Sequence, residues 1–250
     1  MLPLKDLNRS STTPHVNRIL IIANIIIFLV FWVSSQNILL DQRFAWEIGG
    51  RYDDFTGQEI IAGKFVMVPG EILKGQRLYT LFTSMFMHGS WIHLFSNMLF
   101  LYIFGDNIED TFGHLSYLAF YLVCGLLADL THISSMVLAP TLNQIFGLAL
   151  ASDLTAGVIG ASGAISGVLG ACLVLYPRVR IIALAFYVIL PLPSIVFIGI
   201  WFVLQWIYGL FDVSGGVAYF AHIGGFIAGM ILALTIGRKR KKAREKRLRL

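Results

Sequence analysis

The sequence predicts an all-α membrane protein, a bundle of six transmembrane helices with both termini cytoplasmic. Three observations carry this. First, 57% of the 250 residues are hydrophobic and only 13% are charged, against about 25% charged in a soluble domain. Second, the apolar residues gather into six runs. Third, Lys and Arg crowd the connections on one side. The net charge of +5 is not a general surface property, because nine of the 19 Lys and Arg lie between Arg238 and Arg249. Such a tail gives no reason to infer a nucleic-acid partner. The two cysteines, Cys124 and Cys172, both sit in apolar stretches. They support neither a disulfide scaffold nor a structural zinc site, and no metal or cofactor is expected.

Residues 1–18 form a polar N-terminal segment with no cleavable signal pattern, so the first apolar run reads as a retained anchor. The runs are Ile19 to Ser35, Trp91 to Phe104, Leu115 to Leu130, Ser162 to Tyr176, Ile181 to Leu210 and Gly216 to Ile236. Pro191 and Pro193 should kink the fifth. The second and fourth fall short of the roughly 20 residues that a full span needs. They extend into polar flanks or begin below the surface. Val137 to Leu150, with Pro140, Asn143 and Gln144, reads as interfacial or re-entrant rather than a seventh span. The first loop, Gln36 to Ser90, mixes charges with Trp46, Phe55, Ile60, Ile61, Phe65 and Val66. That content suggests a folded, partly embedded loop. A membrane domain over 19–237 is followed by a basic cytoplasmic tail over 238–250, which reads as a topology determinant and an anionic-lipid contact.

Loop charge sets the orientation. One side collects Lys5, Arg9, Arg18, Arg178, Arg180 and the tail. The other holds Arg43, Arg51, Lys64, Lys74 and Arg77, a division of fourteen to five. Both termini are therefore expected to be cytoplasmic. The connection Gly105 to Gly113 carries Asp106, Glu109 and Asp110 and no base, but acidic residues count little here.

Polar groups at membrane depth are costly and mark function by default. His93 and Asn97, spaced i, i+4, share one face of the second span. Ser162 stands in Gly160-Ala161-Ser162-Gly163 at the start of the fourth. His222 stands near the start of the sixth. These three spans all run from outside to inside, so the four residues share a depth on the outer side. Serine becomes a useful nucleophile when a base takes its proton, and histidine is the usual base. Ser162 and His222 supply that pair. Backbone N–H groups at a helix start, with Asn97 and His93, could stabilise an oxyanion. Asp129 has nothing to place it beside His222, so the reading is a dyad. Taken singly, Gly163-x3-Gly167 and Gly225-x3-Gly229 are packing faces. His88 would tie the first loop down, and Glu109 would bond loop backbone.

These residues resemble the rhomboid family of intramembrane serine proteases. The segment His88-x4-His93-x3-Asn97 is similar to its second-helix pattern. Gly105-x3-Glu109-x3-Gly113 resembles its turn motif. Gly160-Ala161-Ser162-Gly163 is similar to its GxSG nucleophile motif. Ala221-His222-x2-Gly225-x3-Gly229 resembles its last-helix pattern. The likeness runs from about Gly75 to Gly229. It implies Ser162 as nucleophile and His222 as base, with His93, Asn97 and the Ser162 N–H in the oxyanion hole. It implies cleavage in or near a transmembrane segment of a substrate protein, within a six-helix core whose water-filled cavity opens outward. The chain departs from the family's pattern twice. Tyr79-Thr80, with Gln76-Arg77 upstream, stands where many members carry Trp-Arg in the first loop. Ser166 stands where members often have an aromatic residue packing on the histidine.

A helical substrate hides its carbonyls in hydrogen bonds, so small or helix-breaking residues are expected near the cut. The fifth span and Gly215-Gly216 could gate entry, in which case cross-linking the fifth span to the second should block cleavage. A transporter or channel is the competing class, but no inverted repeat or midplane charge pair is evident. A non-catalytic relative that escorts membrane proteins would be expected to lack the serine or the histidine. Expected partners are transmembrane substrates and lipid, with no oligomer required. The expected home is a bacterial or archaeal plasma membrane, because the polar N-terminus does not resemble an organellar transit peptide.

Overall fold

The computed structural model describes residues 2–8, 10–37, 63–185, 188–211 and 217–248. Arg43, Trp46, Arg51, Phe55, Ile60 and Ile61 of the first loop, and the gate glycines Gly215 and Gly216, lie outside the described residues.

The chain opens with strand β1 (Leu2–Asp6) and helix α1 (His15–Asn37). Short helices α2 (Pro69–Leu73) and α3 (Thr80–Thr83) follow in the first loop. Helices α4 (Trp91–Phe112), α5 (His114–Phe146) and α6 (Ser162–Leu175) come next. Strands β2 (Arg180–Ala185) and β3 (Val188–Pro193) precede helices α7 (Ser194–Phe211) and α8 (Tyr219–Leu232). A π-helical turn (Ala233–Gly237) leads into the tail helix α9 (Arg238–Leu248).

The body is an all-α, multi-pass membrane bundle. Among the described residues, four stretches are helical, long and apolar enough to cross a bilayer: His15–Val33, His114–Phe146, Ser194–Phe211 and Tyr219–Lys246. The expected second span is a 22-residue helix, but its last turns carry Asp106, Glu109 and Asp110. The expected fourth is apolar and only 14 residues long.

Two expectations are corrected. The fifth run is not one kinked helix from Ile181. Its first part forms the β2–β3 hairpin, and β1 pairs with β2 to complete an antiparallel sheet in the order β1-β2-β3. Periodicity cannot separate a continuous apolar strand from a buried helix. Pro191 and Pro193 decide it, because proline lacks the N–H that a helix interior or a central strand needs. Both fall in β3, whose only partner among the described residues is β2. The second correction concerns the re-entrant reading of Val137 to Leu150: the segment is not a separate re-entrant piece, because α5 runs unbroken through Pro140 to Phe146 and closes on Gly147.

Helix α6 is the axis of the bundle, packed against α4, α5 and α8. Glycine makes the closest approach possible. A Cβ on Gly229 would collide with the Gly167 backbone, one on Gly225 with the Gly163 carbonyl, and one on Gly170 with the Phe226 carbonyl. The two helices therefore touch backbone to backbone along the faces read as small-residue seams.

One end of the bundle is held by polar contacts. Glu109 accepts the backbone N–H groups of Val16 (3.0 Å) and Asn17 (2.7 Å), so its buried carboxylate caps the first turn of α1. A carboxylate suits the positive end of a helix. A side chain on Gly105 would strike Asn17 and the Tyr117 hydroxyl. Gly113, at φ +79°, turns the chain from α4 into α5. The Gly105-x3-Glu109-x3-Gly113 motif thus fastens α1 to the α4–α5 corner. Glu109 does bond backbone, at a helix start rather than in a loop.

Candidate active site

Helix α6 begins at Ser162, and its N-cap Ala161 offers no side-chain acceptor. The first N–H groups of a helix have no partner within it. They stand in the same helix turn as the Ser162 hydroxyl, at the positive end of the helix dipole. The residue two before the serine must be glycine. Gly160 has φ +121°, a region that L side chains rarely adopt. A Cβ there would also lie 2.7 Å from His93 Nε2. Its N–H donates to the Ser84 carbonyl (2.9 Å), which holds the turn. Gly163 faces α5, where a Cβ would meet the Ala128 methyl at 2.7 Å.

Four side chains singled out in the sequence come from three helices. His222 Nε2 lies 2.8 Å from Ser162 Oγ. His93, near the start of α4, sets its ring against Gly160 beside that serine. Asn97, one turn further, is buried, and its Nδ2 has no hydrogen-bond partner among the described residues. An unpaired buried donor costs about 1–3 kcal/mol, and a catalytic role is one reason for a fold to keep one. Ser90 fixes this part of α4 by accepting the His93 N–H at 3.1 Å. His88, outside the helix, packs its ring edge-on against His93 at 5.0 Å. Burial, and then the neighbouring His93, push the His88 imidazole down to about 3, so it is neutral. Asp129 is buried on α5, and no hydrogen bond joins it to His222 among the described residues.

The two departures from the family pattern have local solutions. Ser166 donates its hydroxyl to the Ser162 carbonyl at 2.6 Å. The aromatic packing on His222 comes from another helix: Trp201 of α7 lies 6.0 Å from the imidazole at 35°. In the first loop, Arg77 pairs with Glu71 at 2.7 Å and also donates to the Gly63 carbonyl. Tyr79 donates to the Lys64 carbonyl at 2.9 Å. The loop is thus anchored from Arg77 and Tyr79. It is stitched in turn to the segment before Ser162, through a Met67–Val158 bridge and a Gly70 N–H bond to the Leu154 carbonyl at 2.8 Å.

One polar neighbour went unnoticed in the sequence. Gln205 of α7 is 8% exposed, and its Oε1 lies 2.8 Å from His222 Nδ1. It carried the same signal as the others, a polar side chain in an otherwise apolar helix.

A family model described as the Rhomboid domain matches residues 75–239. RHOMBOID-like protein 12, mitochondrial, of Arabidopsis thaliana is 29% identical over 185 residues, 74% of this chain and 53% of its own. Rhomboid protein 1, mitochondrial, of Saccharomyces cerevisiae is 29% identical over 171 residues, 66% of this chain and 44% of its own. RHOMBOID-like protein 7 of Arabidopsis thaliana is 25% identical over 249 residues, 92% of this chain and 70% of its own. The chain spans about half the length of the first two. The matched region runs from the end of the first loop through Ser162 and His222 to the start of the tail, and by this match the chain belongs to the rhomboid family.

Proposed function

We propose that the chain is an intramembrane serine endopeptidase that hydrolyses peptide bonds in or near transmembrane segments of membrane-protein substrates. One observation carries the proposal: His222 Nε2 and Ser162 Oγ, 60 residues apart on different helices, lie at 2.8 Å. In this reading Nε2 takes the Oγ proton as Oγ bonds the scissile carbonyl carbon. It then passes that proton to the leaving amine as the C–N bond breaks. Water hydrolyses the acyl-enzyme by the same steps. His93, Asn97 and the Ser162 N–H hold the oxyanion. The unpaired Asn97 Nδ2 and the uncapped start of α6 support that assignment.

The loop charges complete the reading. Helices α4 and α6 join the four apolar stretches as spans, and 19–237 forms the membrane domain between the N-terminal segment and the basic tail. Both termini face the cytoplasm of a bacterial or archaeal cell, and the site opens to the outer face. One chain holds every proposed site residue, so no oligomer is required. The test reconstitutes the full chain in liposomes with a single-span substrate carrying a helix-breaking residue. Cleavage near that residue is expected, lost in Ser162→Ala and in His222→Ala. Cleavage that survives Ser162→Ala would overturn it.

A further inference from the structure

We infer that Gln205 is the positioning residue of the site, holding the His222 imidazole in the one tautomer that lets Nε2 act as a base. This deepens the Ser162–His222 reading and rests on it.

The hydrogen bonds around His222 close in one direction only. Both ring nitrogens of His222 are engaged, Nε2 with Ser162 Oγ and Nδ1 with Gln205 Oε1, each at 2.8 Å. The far end of the Gln205 amide is engaged as well, because its Nε2 donates to the Trp201 carbonyl at 3.3 Å. That bond is what orients the amide. Turned over, Oε1 would face a carbonyl oxygen, acceptor against acceptor. With Oε1 toward the ring, Nδ1 must carry the hydrogen. Nε2 then holds a lone pair, and Ser162 Oγ–H donates to it. With the amide reversed, Gln205 would donate to Nδ1. The ring hydrogen would then move to Nε2, where it cannot accept the serine proton.

Helix α7 does two jobs for the base. Trp201 packs beside the imidazole, and Gln205, one turn on, bonds it. The choice of an amide has a physical reason. A carboxylate in the same place would be a buried charge, with a solvation cost of several kcal/mol. A buried amide bonded at both ends avoids that cost and still fixes the ring. The arrangement is a Ser–His–Gln relay whose third member stays neutral throughout, so the proton moves only between Oγ, Nε2 and the leaving amine. The orienting residue and the base also arrive on different helices, so the base is correctly held only while α7 is packed on α8.

The experiment uses the full chain in detergent, with Gln205→Met to delete the acceptor at similar volume and Gln205→Glu to keep one. Gln205→Asn, one methylene short, repeats the deletion with polarity retained should the Met variant fail to fold. Histidine-selective 15N NMR reads the His222 tautomer, assigned by difference from His222→Ala. Peptide hydrolysis gives kcat and KM. In wild type His222 should be the Nδ1–H tautomer. Gln205→Met should shift the ring toward Nε2–H and lower kcat on the order of 10²-fold at unchanged KM. Gln205→Glu should restore the Nδ1–H signal and most of kcat at a pH low enough to keep it the neutral acid, whose O–H replaces the amide N–H toward the Trp201 carbonyl while its C=O faces the ring. An unchanged tautomer and kcat in the deletion variant, with wild-type turnover still lost in Ser162→Ala, overturns this inference alone. Wild type lacking any Ser162-dependent turnover overturns the dyad reading beneath it.

Discussion

Asn97 and Ser166 show how differently two buried polar side chains can be used. The Ser166 hydroxyl is spent on the carbonyl of its own helix, as a mid-helix serine often is. The Asn97 Nδ2 is unspent. If it serves a developing oxyanion, Asn97→Ala should lower kcat by about 10²–10³-fold and leave KM near its wild-type value. Steady-state peptide hydrolysis checks this, and an equal change in KM would point to a binding role. Ser162, His222, His93 and Asn97 were legible in the sequence because each is a polar group that a membrane span has no cheap reason to carry. Gln205 carries that signal too. Nothing in the spacing of its run ties it to His222, and only the tertiary fold brings it 2.8 Å from that ring.

At the scale of elements, the glycine seam and the hairpin decide the architecture. Gly229 presses on the Gly167 backbone, which cannot give way as a side chain can. Gly229→Ala should destabilise the bundle by about 1–3 kcal/mol, toward the upper end. Gly199, on α7, has nothing within 4 Å of the place a Cβ would take. Gly199→Ala should instead be neutral or gain up to about 1 kcal/mol from helix propensity. Reversible unfolding in mixed micelles compares the two, and equal losses would contradict the packing account. The seam was readable as a four-residue spacing of small residues. The hairpin was not, since Ile181 to Leu190 offers no alternation of polar and apolar residues. What identifies β2 is its pairing with β1, some 180 positions away in sequence.

At the scale of the whole molecule, both ends of the chain close on one face of the bundle. Asp110 accepts from the Ser11 N–H (2.8 Å) and the Thr12 hydroxyl (2.7 Å), and pairs with Arg244 of the tail. Arg240 donates to the Phe112 carbonyl at the end of α4. Lys241 donates to the Leu175 carbonyl at the end of α6 and lies over the Tyr176 ring at 4.0 Å. Cations at helix C-termini satisfy orphan carbonyls. The tail read as a lipid and topology signal therefore also caps two helices, which leaves Arg238, Lys239, Lys242 and Lys246 exposed. Charge counting could see how many bases the tail holds but not which way they face.

The docking of β1 at this face should depend on pH. Burial, and then the nearby Asp106 charge, push the Asp6 carboxyl up to about 7. Between its ordinary value of 3.8 and about 7, the folded state holds this proton more tightly than the unfolded state does. The contact is therefore strongest below that window and weakens as pH rises through it. Hydrogen-exchange protection of the β1 amides, corrected for intrinsic exchange, should fall between about pH 4 and 7, and Asp6→Asn should flatten the change. Protection that rises with pH would contradict this.

The central claim is that Ser162 is an activated nucleophile, and it can be tested without knowing the substrate. The purified full chain would be incubated with a mechanism-based isocoumarin and its intact mass recorded. The account predicts one covalent adduct on the wild type, absent from Ser162→Ala and from His222→Ala. An adduct that persists in either variant, or a folded wild type that stays unmodified, would contradict it.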